Sequence, residues 1–350
     1  MKNKMTILRK LLLPLSLTIS CFTLTFAEPL PSWQDGPIKD AIINIVTETT
    51  TEDGEHYLAP KDRIATFDQD GTLWVEQPLY TQVIYVIDKI QQMTDKHPEL
   101  KTQEPYKTIL EGNMEALSKI PKQQLKAALV AELTNREINT YKSEVEQWLN
   151  TAKDQRWGKQ YTDLTYLPMQ ELLTYLRAND YKTFIVTGGG QTFVRVYSDD
   201  IYGIPTEQIM GTAFEMDYQY HADDQSYLYI TPEVLIDTNF SGKAKGIELS
   251  IGKRPIIAVG NSTGDREMLE YTTSGDGLRL GMLIFHDDAI REYAYGPAQG
   301  LPSNGIGEFT QELYDEAIEK DWKIISMKDQ WKQIFSFDTP ISSESQESIQ

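Results

Sequence analysis

The chain has 350 residues, 40% of them apolar, enough for one large domain or a core with a smaller companion. It carries 33 basic and 52 acidic residues, a net charge of −19. An excess of that sign repels nucleic acid and anionic membrane surfaces, so neither is expected as a partner. Any phosphate-binding site would need its own local donors.

The first 27 residues read as an export signal. Lys2, Lys4, Arg9 and Lys10 form a basic start, Leu11 to Phe26 is an uncharged apolar run, and Thr25-Phe26-Ala27 is a small-residue cleavage site. The run is shorter than the roughly 20 residues of a spanning helix and is interrupted by Pro14, so no membrane anchor is expected in the mature form. Cleavage takes four basic residues and no acidic ones, moving the charge from −19 to −23, and removes Cys21, the one cysteine. A periplasmic or secreted location follows, with no disulfide and no thiolate chemistry.

Ile64-Ala65-Thr66-Phe67, Thr183-Phe184-Ile185-Val186 and Ile256-Ile257-Ala258-Val259 are continuous apolar runs, each ending in a polar or glycine-rich turn. Such runs predict strands buried on both faces. Helical spacing between them, as in Pro168 to Ala178 with Met169, Leu172, Leu173 and Leu176 on one face, predicts an α/β fold with an open parallel sheet.

The stretch between the first two runs is too long for one crossover and predicts an insertion. Its content is helical: Leu79, Val83, Ile84, Ile87 and Ile90 keep helical spacing, as do Ile109, Met114, Leu117, Leu125, Leu129 and Leu133, and then Val145, Trp148 and Leu149. The expected organisation is a signal at 1–27, a Rossmann-like core of 28–74 and 160–338, an α-helical cap of 75–159, and a disordered polar tail at 339–350. Phe214 to Ile230 alternates tyrosines with polar residues and predicts a short antiparallel excursion.

The chemistry gathers at the strand ends. Asp68-Gln69-Asp70-Gly71-Thr72 follows the first run; a tight turn explains Asp70 and Gly71 but not Asp68. Thr187-Gly188-Gly189-Gly190 follows the second, offering a hydroxyl and glycine amides to phosphoryl oxygens. Gly260-Asn261-Ser262-Thr263-Gly264-Asp265 follows the third, with oxygen ligands suited to a hard cation. Lys243, with Lys245 as a neighbour, precedes a helical pattern and is suited to neutralise a transferring phosphoryl group; Lys243 is preferred for its place after Gly242. Each segment alone has a plainer reading as a turn, a cap or a solvated lysine.

In this order the four resemble the haloacid dehalogenase superfamily, most closely its phosphoserine-phosphatase-like branch with a helical cap. The resemblance implies Asp68 as nucleophile and metal ligand, and Asp70 as general acid and base with its carbonyl on the metal. It further implies Thr187, Gly188 and Lys243 at the phosphate, Asn261 and Asp265 at a magnesium ion, and a small phosphorylated metabolite as substrate. Asn261 departs from the pattern, which often has Asp there; a neutral amide at that position implies weaker metal binding. Glu76 and Gln77, with Trp74, Tyr80 and Trp157, lie near the expected cap junctions, where substrate would be read. His286 ends a further apolar run, Met282 to Phe285, and could border the site.

The acid at position 70 argues against a dehalogenase, whose halide leaves unprotonated, and against an ATPase. Phosphatase or phosphotransferase remains, beside an inactive phosphate-ester or metal-binding protein that kept the fold. The oligomeric state is left open.

Overall fold

A computed structural model describes residues 28–112, 127 and 130–339. The expected export signal, the tail beyond Thr339, and the helical positions Met114, Leu117, Leu125 and Leu129 lie outside these residues. Eight strands form one sheet: β1 (Ile64–Phe67), β2 (Arg136–Glu137), β3 (Lys182–Gly190), β4 (Ile209–Tyr220), β5 (Ser226–Ile236), β6 (Ile257–Gly260), β7 (Leu280–Phe285) and β8 (Lys323–Ser326). Their spatial order is β2-β5-β4-β3-β1-β6-β7-β8.

The six strands from β4 to β8 across the middle are parallel, as the continuous apolar runs require. β1, β6 and β7 are buried at every residue. In β7, Met282 and Ile284 face a cluster containing Trp33, Tyr166 and Trp331, whereas Leu283 and Phe285 face one containing Phe309, Leu313 and Trp322. A strand with apolar neighbours on both sides has no polar alternation to show.

The three strands expected from sequence are neighbours, in the order β3-β1-β6, and Phe67 lies level with both Ile185 and Val259. This register delivers the three polar turns to one place on the carboxyl edge of the sheet, where ligands of open α/β sheets bind.

Two features differ from expectation. The excursion is longer than Phe214 to Ile230, because β4 and β5 form an antiparallel ribbon from Ala213 to Ile236. The inserted stretch is not purely helical either: helices Thr81–Lys96, Tyr106–Glu111 and Ile138–Leu149 are joined by β2, which pairs antiparallel with Tyr229 and Ile230 of β5. Two residues are too few to leave a periodic signal, and their pairing depends on an edge distant in sequence. No helix among the described residues is long and apolar enough to cross a membrane.

Candidate active site

Asp68 leaves the end of β1 with its amide donating to the Val259 carbonyl at 2.9 Å, which fixes the start of the turn against β6. Lys243 reaches it from the helix Ser241–Ile251, whose second residue, Gly242, has no room for a side chain beside the Asp237 carbonyl. The Lys243 ammonium is 3% exposed, donates to Asp68 Oδ1 at 2.5 Å and to the Val186 carbonyl at 2.7 Å, and forms an ion pair with Asp265 Oδ1 at 2.7 Å. Lys245 is solvent-exposed, so the structure brings Lys243 alone of the pair to Asp68.

Burial pushes the Asp68 carboxyl up, Asp265 adds to that, and Lys243 offsets part of it. Lys243 is pulled down by burial, but Asp265 and Asp68 outweigh this and hold it above its ordinary value. Asp70 accepts a hydrogen bond from Trp74 Nε1 at 2.7 Å, and burial raises its carboxyl to about 6. Trp74 is itself stacked on Tyr197, with ring centroids 4.8 Å apart. Between the two aspartates and Trp74, Gly71 has φ +71° and packs so closely that a Cβ would lie 2.2 Å from Asn261 Nδ2 and 2.4 Å from Glu76 Oε1.

Thr187 and Gly188 line the same cleft as Asp68 and Asp70. The Thr187 hydroxyl accepts from the Gly189 amide at 2.9 Å, and the Gly190 amide donates to Gln82 at 2.8 Å, which ties this loop to the helix Thr81–Lys96. Asp265 closes a capping box: its Oδ2 accepts from the amides of Asn261 and Ser262 at 2.9 and 3.0 Å. It is buried and committed to that cap and to Lys243.

Asn261 does not present its amide as expected. Its Oδ1 accepts from the Thr72 hydroxyl at 3.0 Å and its Nδ2 donates to Glu76 Oε1 at 2.6 Å, so the side chain bridges the Asp70 turn and Glu76. Glu76 also accepts from the Tyr295 hydroxyl at 2.8 Å, and burial raises its carboxyl well above the ordinary range. Glu76 borders the cleft; Gln77 does not, because its amide exchanges hydrogen bonds with Asn304 and the Ile306 carbonyl and so pins the loop that carries Gly305, Gly307 and Glu308. Tyr80 borders the cleft as well, whereas Trp157 packs on Tyr293 and Phe335.

His286 stands behind the Asp70 turn. Its Nε2 lies 2.8 Å from the Gly71 carbonyl and its Nδ1 3.1 Å from the buried carboxylate of Glu292, while its ring stacks on Tyr295. Sequence offered the apolar run before His286 as its sole signal. Glu292, Tyr295, Gln82 and the 303–308 loop had none.

The cleft has a volume of about 390 Å³. Among the described residues no three or more His, Cys, Asp or Glu side chains are grouped to hold a metal. A magnesium ion nevertheless suits the donor set, because Asp68, Asp70, Glu76 and Asp265 line the cleft against one ammonium, and backbone carbonyls and waters complete magnesium shells. Asp68 and the Asp70 carbonyl are the groups that would hold it.

A carboxylate on a strand end, paired with a buried lysine and followed two residues later by a second carboxyl, is an arrangement able to support covalent chemistry at a carboxylate on a parallel α/β core. A family model for haloacid dehalogenase-like hydrolases matches residues 63–230, and Lys243 and Asp265, beyond that stretch, complete the same site. Over residues 63–230 the chain is similar to the haloacid dehalogenase-like hydrolases.

Solved structures similar to this chain include a conserved functionally unknown protein from Anaerococcus prevotii (14% identity, 72% of this chain and 86% of that chain, TM-score 0.48). Others are a protein of unknown function from Bordetella pertussis (13%, 75% and 97%, TM-score 0.46) and a phosphoserine phosphohydrolase-like protein from Francisella tularensis (16%, 64% and 88%, TM-score 0.37). No curated protein matches the chain.

Proposed function

We propose that this chain is an exported, magnesium-dependent phosphatase that hydrolyses a small phosphomonoester through an aspartyl phosphate on Asp68. The observation that carries the reading is the buried Lys243 ammonium 2.5 Å from Asp68 Oδ1, with Asp70 on the same turn and an open cleft above both.

In this reading the free Asp68 oxygen attacks phosphorus as the bond to the leaving oxygen breaks, and Asp70 gives that oxygen its proton. Water then attacks the aspartyl phosphate, Asp70 takes the proton back, and inorganic phosphate leaves with Asp68 restored. Lys243 counters charge on the transferred group, beside the Thr187 hydroxyl and the amide of Gly188. A bound magnesium ion supplies further counter-charge for the phosphoryl oxygens. Residues 75–159 act as a cap over the cleft, to which they contribute Tyr80, Gln82, Val83 and Leu133.

An alkoxide leaves poorly without a proton and a nitrophenolate leaves readily. Asp68→Asn should abolish turnover of both ester types, and Asp70→Asn should harm alkyl phosphates far more than p-nitrophenyl phosphate, giving a burst and accumulated phosphoprotein in rapid-quench and intact-mass measurements. Normal turnover by Asp68→Asn would leave the chain a binding protein or an enzyme of another mechanism; transfer of phosphate to an added alcohol would make it a phosphotransferase. Export is tested by the intact mass of protein from the cell envelope, which should begin at Glu28; a full-length cytoplasmic species refutes it.

A further inference from the structure

The turn that delivers Lys243 is built on an unfavourable residue. The Gly242 amide donates to the Asn239 carbonyl at 2.8 Å and the Lys243 amide to the Phe240 carbonyl at 2.9 Å, so Phe240 is the second residue of a tight turn. Its φ of +51° and ψ of −124° are the angles of a type II′ turn, which glycine ordinarily supplies because a Cβ is crowded there. The other non-glycine residues with positive φ among the described residues are Asp, Asn or Gln, save Leu30, whose side chain is buried in the core.

Phe240 has no such return for its strain. It is 56% exposed, and a ring in water gains little of what burial gives. Glycine would make the same turn, and seat Lys243, at lower cost. Its flank is held firmly: the Asn239 amide and Nδ2 both donate to Asp237 Oδ1, at 3.0 and 2.7 Å, and a Cβ on Gly188 would meet Asn239 Oδ1. The turn is thus packed against the loop that carries Thr187 and Gly188. Single exposed apolar residues are ordinary on a surface. One kept in a glycine conformation beside a catalytic cleft is instead the pattern of strain retained for function. Phe240 lines that cleft, and Val83, Val86 and Leu133 add apolar surface to it from the inserted stretch.

We infer that Phe240 is a specificity-determining residue whose ring packs on an apolar part of the leaving group, so that monophosphates of aryl or bulky alkyl alcohols are preferred over those of the smallest alcohols. This rests on the phosphatase reading above and adds the class of leaving group to it.

Benzylphosphonate and methylphosphonate carry the same uncleavable phosphoryl group and differ by a phenyl ring. With the purified protein and magnesium, calorimetry should give a Kd for benzylphosphonate about tenfold or more below that for methylphosphonate, the gain from roughly 55 Å² of apolar surface at about 25 cal/mol per Å². Phe240→Ala and Phe240→Gly should each reduce this preference to about threefold or less, and Phe240→Tyr, which keeps the ring, should retain it. Both small variants lack the ring, but glycine alone is relaxed at a φ of +51°, so Phe240→Gly should melt about 2 °C or more above Phe240→Ala. The inference is overturned by equal affinity for the two phosphonates, by no binding of either, or by a preference that survives in both small variants. Equal weakening of both ligands, as from a residue that only seats Lys243, also overturns it, as does equal melting of the glycine and alanine variants. Failure of the wild type to cleave p-nitrophenyl phosphate defeats the phosphatase reading itself, a distinct result, and this inference falls with it.

Discussion

The pair behind the Asp70 turn gives the sharpest test of how the site is held. The His286 ring bridges the Gly71 carbonyl, 2.8 Å from Nε2, and Glu292, 3.1 Å from Nδ1. His286 is 2% exposed and Glu292 0%, so neither can turn to water if the other is removed. His286→Phe keeps the ring volume and the stacking on Tyr295 but leaves Glu292 buried without its partner and the Gly71 carbonyl without its donor. Breaking one side of such a pair costs about 3–5 kcal/mol, a large share of the roughly 5–15 kcal/mol that holds a domain folded. Urea denaturation of the wild type, His286→Phe, Glu292→Leu and the double variant measures the cost. The double variant should be far less destabilised than the two single losses added together, because neither member of the pair is then left buried opposite a missing partner. Aryl-phosphate kcat should fall in His286→Phe with KM little changed, since the turn carrying Asp70 loses its outer anchor. A single-variant loss below about 1 kcal/mol, or strict additivity, would refute the reasoning.

Asn261→Asp should lower stability rather than simply strengthen metal binding, because the new carboxylate would face Glu76 where the amide now donates at 2.6 Å. Thermal melts with chelator and with magnesium separate the two effects; a variant as stable as the wild type without metal would show that Glu76 does not sense position 261. For pH, burial raises Asp68 and lifts Asp70 from 3.8 to about 6, so the folded chain holds protons that the unfolded chain has released. Their contribution to stability is therefore full below about pH 4 and is lost as pH rises through about 6 for Asp70 and about 7 for Asp68. Metal-free protein should melt lower at pH 7.5 than at pH 5, magnesium should restore much of the difference, and Asp68→Asn should flatten it; a pH-independent melting temperature in chelator refutes the assignment.

What the sequence determined by itself is local or periodic. The apolar runs at Ile64–Phe67, Thr183–Val186 and Ile256–Val259 named the three central strands because a strand covered on both faces leaves an uninterrupted apolar signal. Asp68 and Asp70 were legible because a turn directly after such a strand has one place to go, the carboxyl edge, and Lys243 was favoured over Lys245 for the glycine before it, though the sequence left the choice open. The tertiary structure alone decided what surrounds them. Gly71 meets His286 across 215 positions and Asn261 meets Glu76 across 185, and no spacing rule spans such distances. Asn261 illustrates the limit: its side chain has the composition of a metal ligand, yet its direction is set by Thr72 and Glu76, which reach it only after β1 and β6 have paired. Gln77 likewise stands beside the site in sequence but is turned by its pairing with Asn304 to hold a loop. Residue type and turn position fix which groups arrive at the sheet edge, while the partners waiting there fix which way each group points.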